Sequence, residues 1–146
     1  MTSGLGVRRS ARPATELDSA GAVVDASVIL RRLLDGSAEA DAVLRRESLI
    51  APGVIVPEVL NGLASAVRFA GLSERGALEL VSEALELPIE IVPDRALAGT
   101  TLMVAATRQL TAYEASYVAL AERLQVPLVT ADRGLAARFE RSELIP

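Results

Sequence analysis

The sequence predicts a single α/β domain with a mostly parallel sheet that helices cover on both faces. Short apolar runs alternate with longer segments in which apolar residues recur at helical spacing. This alternation is typical of parallel sheets, whose strands are buried on both faces. The chain has 146 residues, 51% of them hydrophobic, which suffices to bury a core without disulfides.

The predicted elements follow one another with short connections. Strands are predicted at residues 22–24, 49–51, 88–92 and 127–130, with an edge strand at 144–145. Helices are predicted at residues 27–34, 38–46, 54–70, 73–85 and 133–139, with two more starting at 94 and 111. Gly36 ends the first helix and Ser73 caps the fourth. Pro57 and Glu58 mark the entrance of the third helix.

Four of these helices have apolar residues at helical spacing, which in the third helix are Leu60, Leu63, Ala64 and Val67. In the other three helices the apolar face predicts the buried side. The predicted buried residues are Leu78, Val81 and Leu85 in the fourth helix, Leu97, Thr101, Val104 and Ala105 in the fifth, and Tyr113, Tyr117, Leu120 and Leu124 in the sixth.

The N-terminal residues differ from the rest of the chain. Residues 1–19 are rich in Gly, Ser, Thr and Arg without periodicity and are predicted to be a mobile tail, so that residues 20–146 form the working domain. No apolar segment follows the early Arg residues, so no secretory signal is predicted. The longest uncharged run, residues 96–107, is too short to span a bilayer. With no Cys, these features favour a cytoplasmic protein.

Composition excludes several kinds of catalytic site. The chain has no His and no Cys, and all 15 of its basic residues are Arg. A Ser-His-Asp triad, a Cys-His pair, a zinc site built on those ligands and a P-loop lysine are therefore excluded. Carboxylates and hydroxyls remain, and these hard oxygen ligands suit Mg²⁺ or Mn²⁺.

Four acidic residues occupy matching positions along the predicted elements. Asp25 and Asp132 come directly after apolar strands, and Glu58 and Glu114 lie in the first turns of helices. Sites in open parallel sheets form beyond the carboxyl ends of the strands, so all four acids are predicted to face one crevice. Four close carboxylates repel one another unless a cation lies among them. A divalent ion there can activate water for attack on a phosphodiester.

Each acid also has an ordinary structural explanation. Asp25 and Asp132 are each placed to cap the helix that follows. Glu58 favours a helix dipole, and Glu114 is placed to close a capping box with Thr111. The residues alone leave both interpretations open.

Four motifs, in this order and spacing, resemble those of the PIN-domain family, and more specifically VapC-type toxin ribonucleases. They are VVDASV at residues 23–28, PEVLNGL at 57–63, TAYEASYVALA at 111–121 and PLVTADRGL at 127–135. The resemblance extends over residues 22–145. It implies an α/β/α sandwich and Mg²⁺- or Mn²⁺-dependent cleavage of RNA. It also implies a homodimer and a cognate VapB-type antitoxin that blocks the site.

The resemblance also implies roles for individual residues. Asp25, Glu58, Glu114 and Asp132 become the catalytic and metal-binding acids. Ser27 and Thr130 become supporting hydroxyls, with ordinary hydrogen bonding as the alternative. Asn61, one turn after Glu58, is a further supporting candidate or a structural amide.

Glu114 departs from the family pattern, which most often has Asp at this position. The extra methylene displaces the carboxylate, and Mg²⁺ tolerates little error in its coordination shell. An alternative function is therefore a catalytically weak or inactive PIN domain that acts as an antitoxin-binding regulatory partner. An aspartyl phosphatase or a phospho-receiver domain is disfavoured because both use a Lys, and the phosphatase also needs an Asp where this chain has Ser27.

Overall fold

The computed structural model describes residues 21–146, so the predicted N-terminal tail lies outside the described residues. The strands are β1 (Ala22–Val24), β2 (Leu49–Pro52), β3 (Glu90–Val92), β4 (Leu128–Thr130) and β5 (Ser142–Leu144). The helices are α1 (Ala26–Asp35), α2 (Ala38–Leu44), α3 (Ile55–Phe69), α4 (Glu74–Glu86), α5 (Asp94–Arg108), α6 (Ala112–Leu124) and α7 (Arg133–Ala136).

The five strands form one sheet in the order β3-β2-β1-β4-β5, and every pair is parallel. Val23 in the central strand pairs with Ile50 on one side and Leu128 on the other. All three residues of β1 are buried, as expected for a strand with helices over both faces. The predicted α/β fold with a parallel sheet and flanking helices is confirmed.

Helix α6 is the most deeply buried helix next to the sheet. It packs against α5 and contacts β1, β2 and β4, so that residues 115–121 are all buried. The predicted apolar stripe is correct for Tyr117 and Leu120, which are each 1% exposed. It is wrong for Tyr113, which is 62% exposed. Tyr113 lies in the first turn of α6, before the helix enters the packed region.

The predicted buried face of α4 is wrong at two of its three positions. Leu78 and Leu85 are 69% and 68% exposed. Of the three predicted residues only Val81 packs against the core, and the neighbouring Leu80 and Ala84 pack there as well. Helix α4 contacts α3 and α1 and has no fully buried residue, so only a narrow side of it is covered. In α5 the prediction is confirmed for Leu97, Thr101 and Val104, which are buried, and Ala105 is partly buried.

The last helix, α7, is shorter than predicted. Helix α7 ends at Ala136, although residues 133–139 were expected to be helical. After it the chain tightens into a turn, in which the Arg138 N–H donates to the Leu135 carbonyl at 3.0 Å and redirects the chain into β5. Gly36 ends α1 in the left-handed conformation (φ 63°), and the Ser73 hydroxyl caps α4, both as predicted. No helix in residues 21–146 has the length and apolarity needed to cross a membrane.

Candidate active site

A cleft of about 530 Å³ lies where β1 and β4 end and α1, α3 and α6 begin. All four predicted acids line it, each from a different segment of the chain: Asp25, Glu58, Glu114 and Asp132. Ser27 and Asn61 also line the cleft, whereas Thr130 is 0% exposed and lies beneath it. The structure therefore brings the predicted residues to one place, and their chemical roles stay predictions.

Asp25 is the most buried of the four acids, at 5% exposure. Its Oδ2 atom accepts hydrogen bonds from Ser27 Oγ at 2.8 Å and from Thr130 Oγ1 at 2.7 Å. Burial raises the pKa of Asp25, with a smaller contribution from the Asp132 charge, and the two hydroxyls and the Ala26 amide oppose this effect. Although Asp25 precedes α1, its side chain accepts no hydrogen bond from the N–H groups of Ser27 or Val28, as a capping residue would. The capping explanation for Asp25 is therefore wrong.

The two hydroxyls beside Asp25 also bind the backbone after β4. Ser27 Oγ accepts from the Ala131 N–H at 2.8 Å, and Thr130 Oγ1 accepts from the Asp132 N–H at 2.9 Å. Each hydroxyl has a single proton, which it donates to Asp25, so the 3.3 Å separation of the two oxygens is a contact and not a hydrogen bond. Ser27 and Thr130 thus orient the Asp25 carboxylate and fix the chain that leads to Asp132.

Glu58 combines partial burial with a negative environment. Burial, followed by the Asp25 charge, raises its pKa to about 7, and Glu114 and Asp132 contribute in the same direction. Tyr117 opposes the shift. The Oε1 atom of Glu58 is buried and has no hydrogen-bond partner within residues 21–146. A buried carboxylate oxygen without a hydrogen-bond partner is unfavourable, which indicates that Glu58 binds a ligand or a proton there.

Asp132 and Glu114 both cap helices, as the alternative explanation predicted. Asp132 Oδ1 accepts from the N–H groups of Gly134 and Leu135 at 2.8 and 3.1 Å. Glu114 Oε2 accepts from the Thr111 N–H at 3.0 Å, and Thr111 Oγ1 accepts from the Glu114 N–H at 3.2 Å, which completes the capping box. These caps use one oxygen of each carboxylate, and both side chains still line the cleft.

The cleft has the type of ligand atoms that a divalent cation binds, but these atoms are not arranged as a preformed metal site. Its donors are oxygens, the ligand type that Mg²⁺ and Mn²⁺ prefer, and one buried carboxylate oxygen lacks a partner. Within residues 21–146, however, no three acidic side chains converge closely enough to hold one ion as they stand. The pKa of Glu58 is raised first by burial and then by the nearby carboxylates, and a bound cation would relieve that second contribution.

Two cleft residues differ from expectation. Asn61 is exposed at the edge of the cleft, one turn after Glu58. The interpretation of Asn61 as a buried structural amide is therefore wrong. The spacing of Tyr117 predicts a core position, and it is buried, yet it also lines the cleft. Its position three residues after Glu114 in α6 was the signal available in the sequence, because residues at that spacing share a helix face.

Comparison with known proteins gives consistent similarities. The PIN domain family matches residues 22–140, a range that contains all four cleft acids. The ribonuclease VapC12 of Mycobacterium tuberculosis is 34% identical over 116 residues, which cover 78% of this chain and 88% of that protein. The crystal structure of PAE2754 from Pyrobaculum aerophilum superposes with a TM-score of 0.69 at 29% identity, over 84% of this chain and 82% of the other. A toxin–antitoxin complex from Klebsiella pneumoniae has the same fold, with a TM-score of 0.62 at 18% identity and coverage of 84% and 96%.

Proposed function

Since this chain belongs to the PIN-domain family, we propose that it is a Mg²⁺- or Mn²⁺-dependent endoribonuclease and the toxin of a toxin–antitoxin pair. The observation that carries the proposal is the cleft lined by Asp25, Glu58, Glu114 and Asp132. The similarity to a VapC ribonuclease over most of both chains supports RNA as the substrate.

The cleft residues would have different roles in binding a cation. Asp25, Glu58 and Asp132 would hold it, directly or through water, and Glu114 would complete the acidic wall. Ser27 and Thr130 keep the Asp25 carboxylate oriented by their hydrogen bonds to its Oδ2 atom. When bound, a divalent cation would polarise the scissile phosphate and lower the pKa of a water molecule. Glu58 must lose its proton for a cation to bind, because only the carboxylate is a strong ligand.

The substrate chemistry follows from the charge of the cleft. An RNA phosphate is repelled by four carboxylates, so the cleft accepts it only with a cation present. The chain has no His, so a carboxylate must receive any proton that the protein itself accepts. Hydrolysis is proposed to leave a 5′-phosphate and a 3′-hydroxyl. Action on cellular RNA would place the protein in the cytoplasm.

Two protein partners belong to the proposal, a VapB-type antitoxin and a second copy of the chain. The structural neighbour from Klebsiella pneumoniae, which is a toxin–antitoxin complex, supports the antitoxin. Large apolar side chains that are exposed within residues 21–146 are the candidate contacts for these partners. The most exposed are Phe69, Leu78, Leu85, Leu102 and Tyr113.

The alternative function is a catalytically weak or inactive PIN domain that binds the antitoxin as a regulatory partner. Glu114 favours it, because this residue is Glu where the family most often has Asp and because one of its oxygens is taken by the capping box. The lack of a preformed three-acid cluster among the described residues points in the same direction.

Incubation of the partner-free protein with total RNA and Mn²⁺ or Mg²⁺ tests the proposal. We expect discrete cuts that disappear with EDTA and in Asp25→Asn, but persist in Asp35→Asn. Asp35 is a matched control because it is exposed and pairs with Arg31 away from the cleft. A folded protein that neither cleaves RNA nor binds Mn²⁺ would instead support the inactive regulatory partner.

A further inference from the structure

Tyr117 occupies the floor of the acidic cleft and has no role in the function proposed above. Its side chain is 1% exposed, and it lines the cleft together with Asp25 and Glu58. Helix α6 carries Tyr117 one turn after Glu114, so both side chains face the same side of the helix. The phenol therefore approaches the acids from below, where solvent does not reach.

The Tyr117 hydroxyl and Glu58 Oε1 are complementary groups that lack partners. Both atoms are buried, and neither forms a hydrogen bond within residues 21–146. The two side chains line the same cleft, Glu58 from α3 and Tyr117 from α6. Consistently, the pKa of Tyr117 is raised by burial and then by the Asp25 and Glu58 charges, and Tyr117 lowers the pKa of Glu58. A phenol can donate one hydrogen bond, and a carboxylate accepts it.

A purely structural role explains Tyr117 poorly. Phe would fill the same volume in the core without burying a hydroxyl, and buried polar atoms in folded proteins are normally paired. Hydrogen bonds in active sites are often long or poorly aligned before ligands bind, and they shorten afterwards. The unpaired phenol beside an unpaired carboxylate oxygen fits this description.

We propose that Tyr117 is a positioning residue for Glu58: its hydroxyl donates a hydrogen bond to the Glu58 carboxylate and holds that side chain in place for the divalent cation. The proposal rests on the metal-binding function assigned above. Residues that orient metal ligands by hydrogen bonds typically contribute about 10–100-fold to metal affinity. Tyr117 thus helps convert an open set of acids into a binding site when the cation arrives.

Mn²⁺ affinity, measured by calorimetry without RNA, tests the proposal. We expect Tyr117→Phe to weaken Mn²⁺ binding by about tenfold. Tyr113→Phe should leave it unchanged, because Tyr113 lines the same cleft but is 62% exposed, so its hydroxyl is not a buried group without a partner. In a Glu58→Gln background, Tyr117→Phe should change the affinity less than about twofold, because the residue that it orients is already altered. An equal loss in both backgrounds, or no loss in either, would overturn the proposal.

A spectroscopic readout does not depend on the stability of the Tyr117 variant. The chain contains two Tyr and no Trp, so Tyr113→Phe leaves Tyr117 as the only tyrosine. Addition of Mn²⁺ to this variant should change its near-UV tyrosine absorption, and the change should be absent when Glu58→Gln is added. An unchanged spectrum while Mn²⁺ binds would contradict the role of Tyr117 and leave the proposed function standing. Failure of the wild type to bind Mn²⁺ would overturn both.

Discussion

The hydroxyl of Thr130 donates a 2.7 Å hydrogen bond to Asp25 Oδ2 across 105 positions of sequence. Thr130 ends β4 and Asp25 follows β1, and these two strands are neighbours in the sheet. The bond is buried, and the same hydroxyl accepts from the Asp132 N–H at 2.9 Å. One side chain therefore connects the deepest acid of the cleft to the segment that carries a second acid.

Replacement of Thr130 by Val should destabilise the protein and weaken its site. Val has the same shape but leaves the buried Asp25 carboxylate with one donor fewer, which should lower the free energy of unfolding by about 1–3 kcal/mol. Urea denaturation at neutral pH measures this change. Thr107→Val is the matched control, because the Thr107 hydroxyl bonds only to the Met103 carbonyl on an exposed helix surface, and it should cost less than about 0.5 kcal/mol. Equal losses in the two variants would show that the hydrogen bond to Asp25 stabilises the protein no more than the exposed Thr107 bond does.

Glu58 should make stability depend on pH in the absence of metal. Its pKa is about 7 in the folded protein against an ordinary value of 4.5. Between these values the folded state binds more protons than the unfolded state, so the free energy of unfolding should fall as pH rises from 4.5 to 7 and then level off. Glu58→Gln should flatten this decline. Asp25, whose pKa is also raised, should leave a residual slope.

Thermal unfolding in EDTA at a series of pH values measures the effect. At pH 8 the Glu58→Gln protein should be more stable than the wild type, because it no longer buries a repelled charge. Added Mn²⁺ should reverse this order, since the wild type would bind the cation more tightly. Identical pH profiles for the two proteins would contradict the raised pKa of Glu58.

The meeting of Asp25 and Asp132 could be predicted because the sheet topology demands it. The carboxyl ends of parallel strands meet at one edge of a sheet, so residues that follow β1 and β4 must come together. What could not be predicted is the local geometry at each acid. Asp25 and Asp132 are both followed by helices, but only Asp132 caps its helix. Asp25 is turned instead toward Thr130, a partner that only the folded sheet provides.

The errors in helix burial have a similar cause. Apolar spacing defines a face, but it does not say how far neighbouring elements cover that face. Tyr113 and Tyr117 lie on one predicted stripe, yet the packed region of α6 begins only at Ala115. Leu78 and Leu85 are apolar residues on a predicted buried face that no described element covers. Their spacing alone does not distinguish a core from a surface for a partner.

Glu114→Gln separates the two roles of this residue. Gln can complete a capping box as Glu does, so the free energy of unfolding should change by less than about 0.5 kcal/mol. Removal of the charge from the cleft wall should still weaken Mn²⁺ binding, as measured by calorimetry. Glu114→Ala is the comparison, because it removes both roles and should also destabilise α6 by about 1 kcal/mol. Unchanged Mn²⁺ affinity in Glu114→Gln would mean that Glu114 is only a cap.

Arg32 should contribute to stability by joining three helices. From α1 it donates to Asp41 of α2 at 3.1 Å and to Glu83 of α4 at 3.3 Å. Its side chain is 31% exposed, so Arg32→Ala should lower the free energy of unfolding by about 1 kcal/mol, the upper range for a partly exposed pair. Arg75→Ala is the matched control, because Arg75 is 92% exposed and pairs only within α4, at 3.6 Å from Glu79. In urea denaturation the two losses should differ, and the difference should shrink at high salt because ions screen the charges. Equal losses, or a difference that salt does not change, would show that the three-helix connection adds no electrostatic stability.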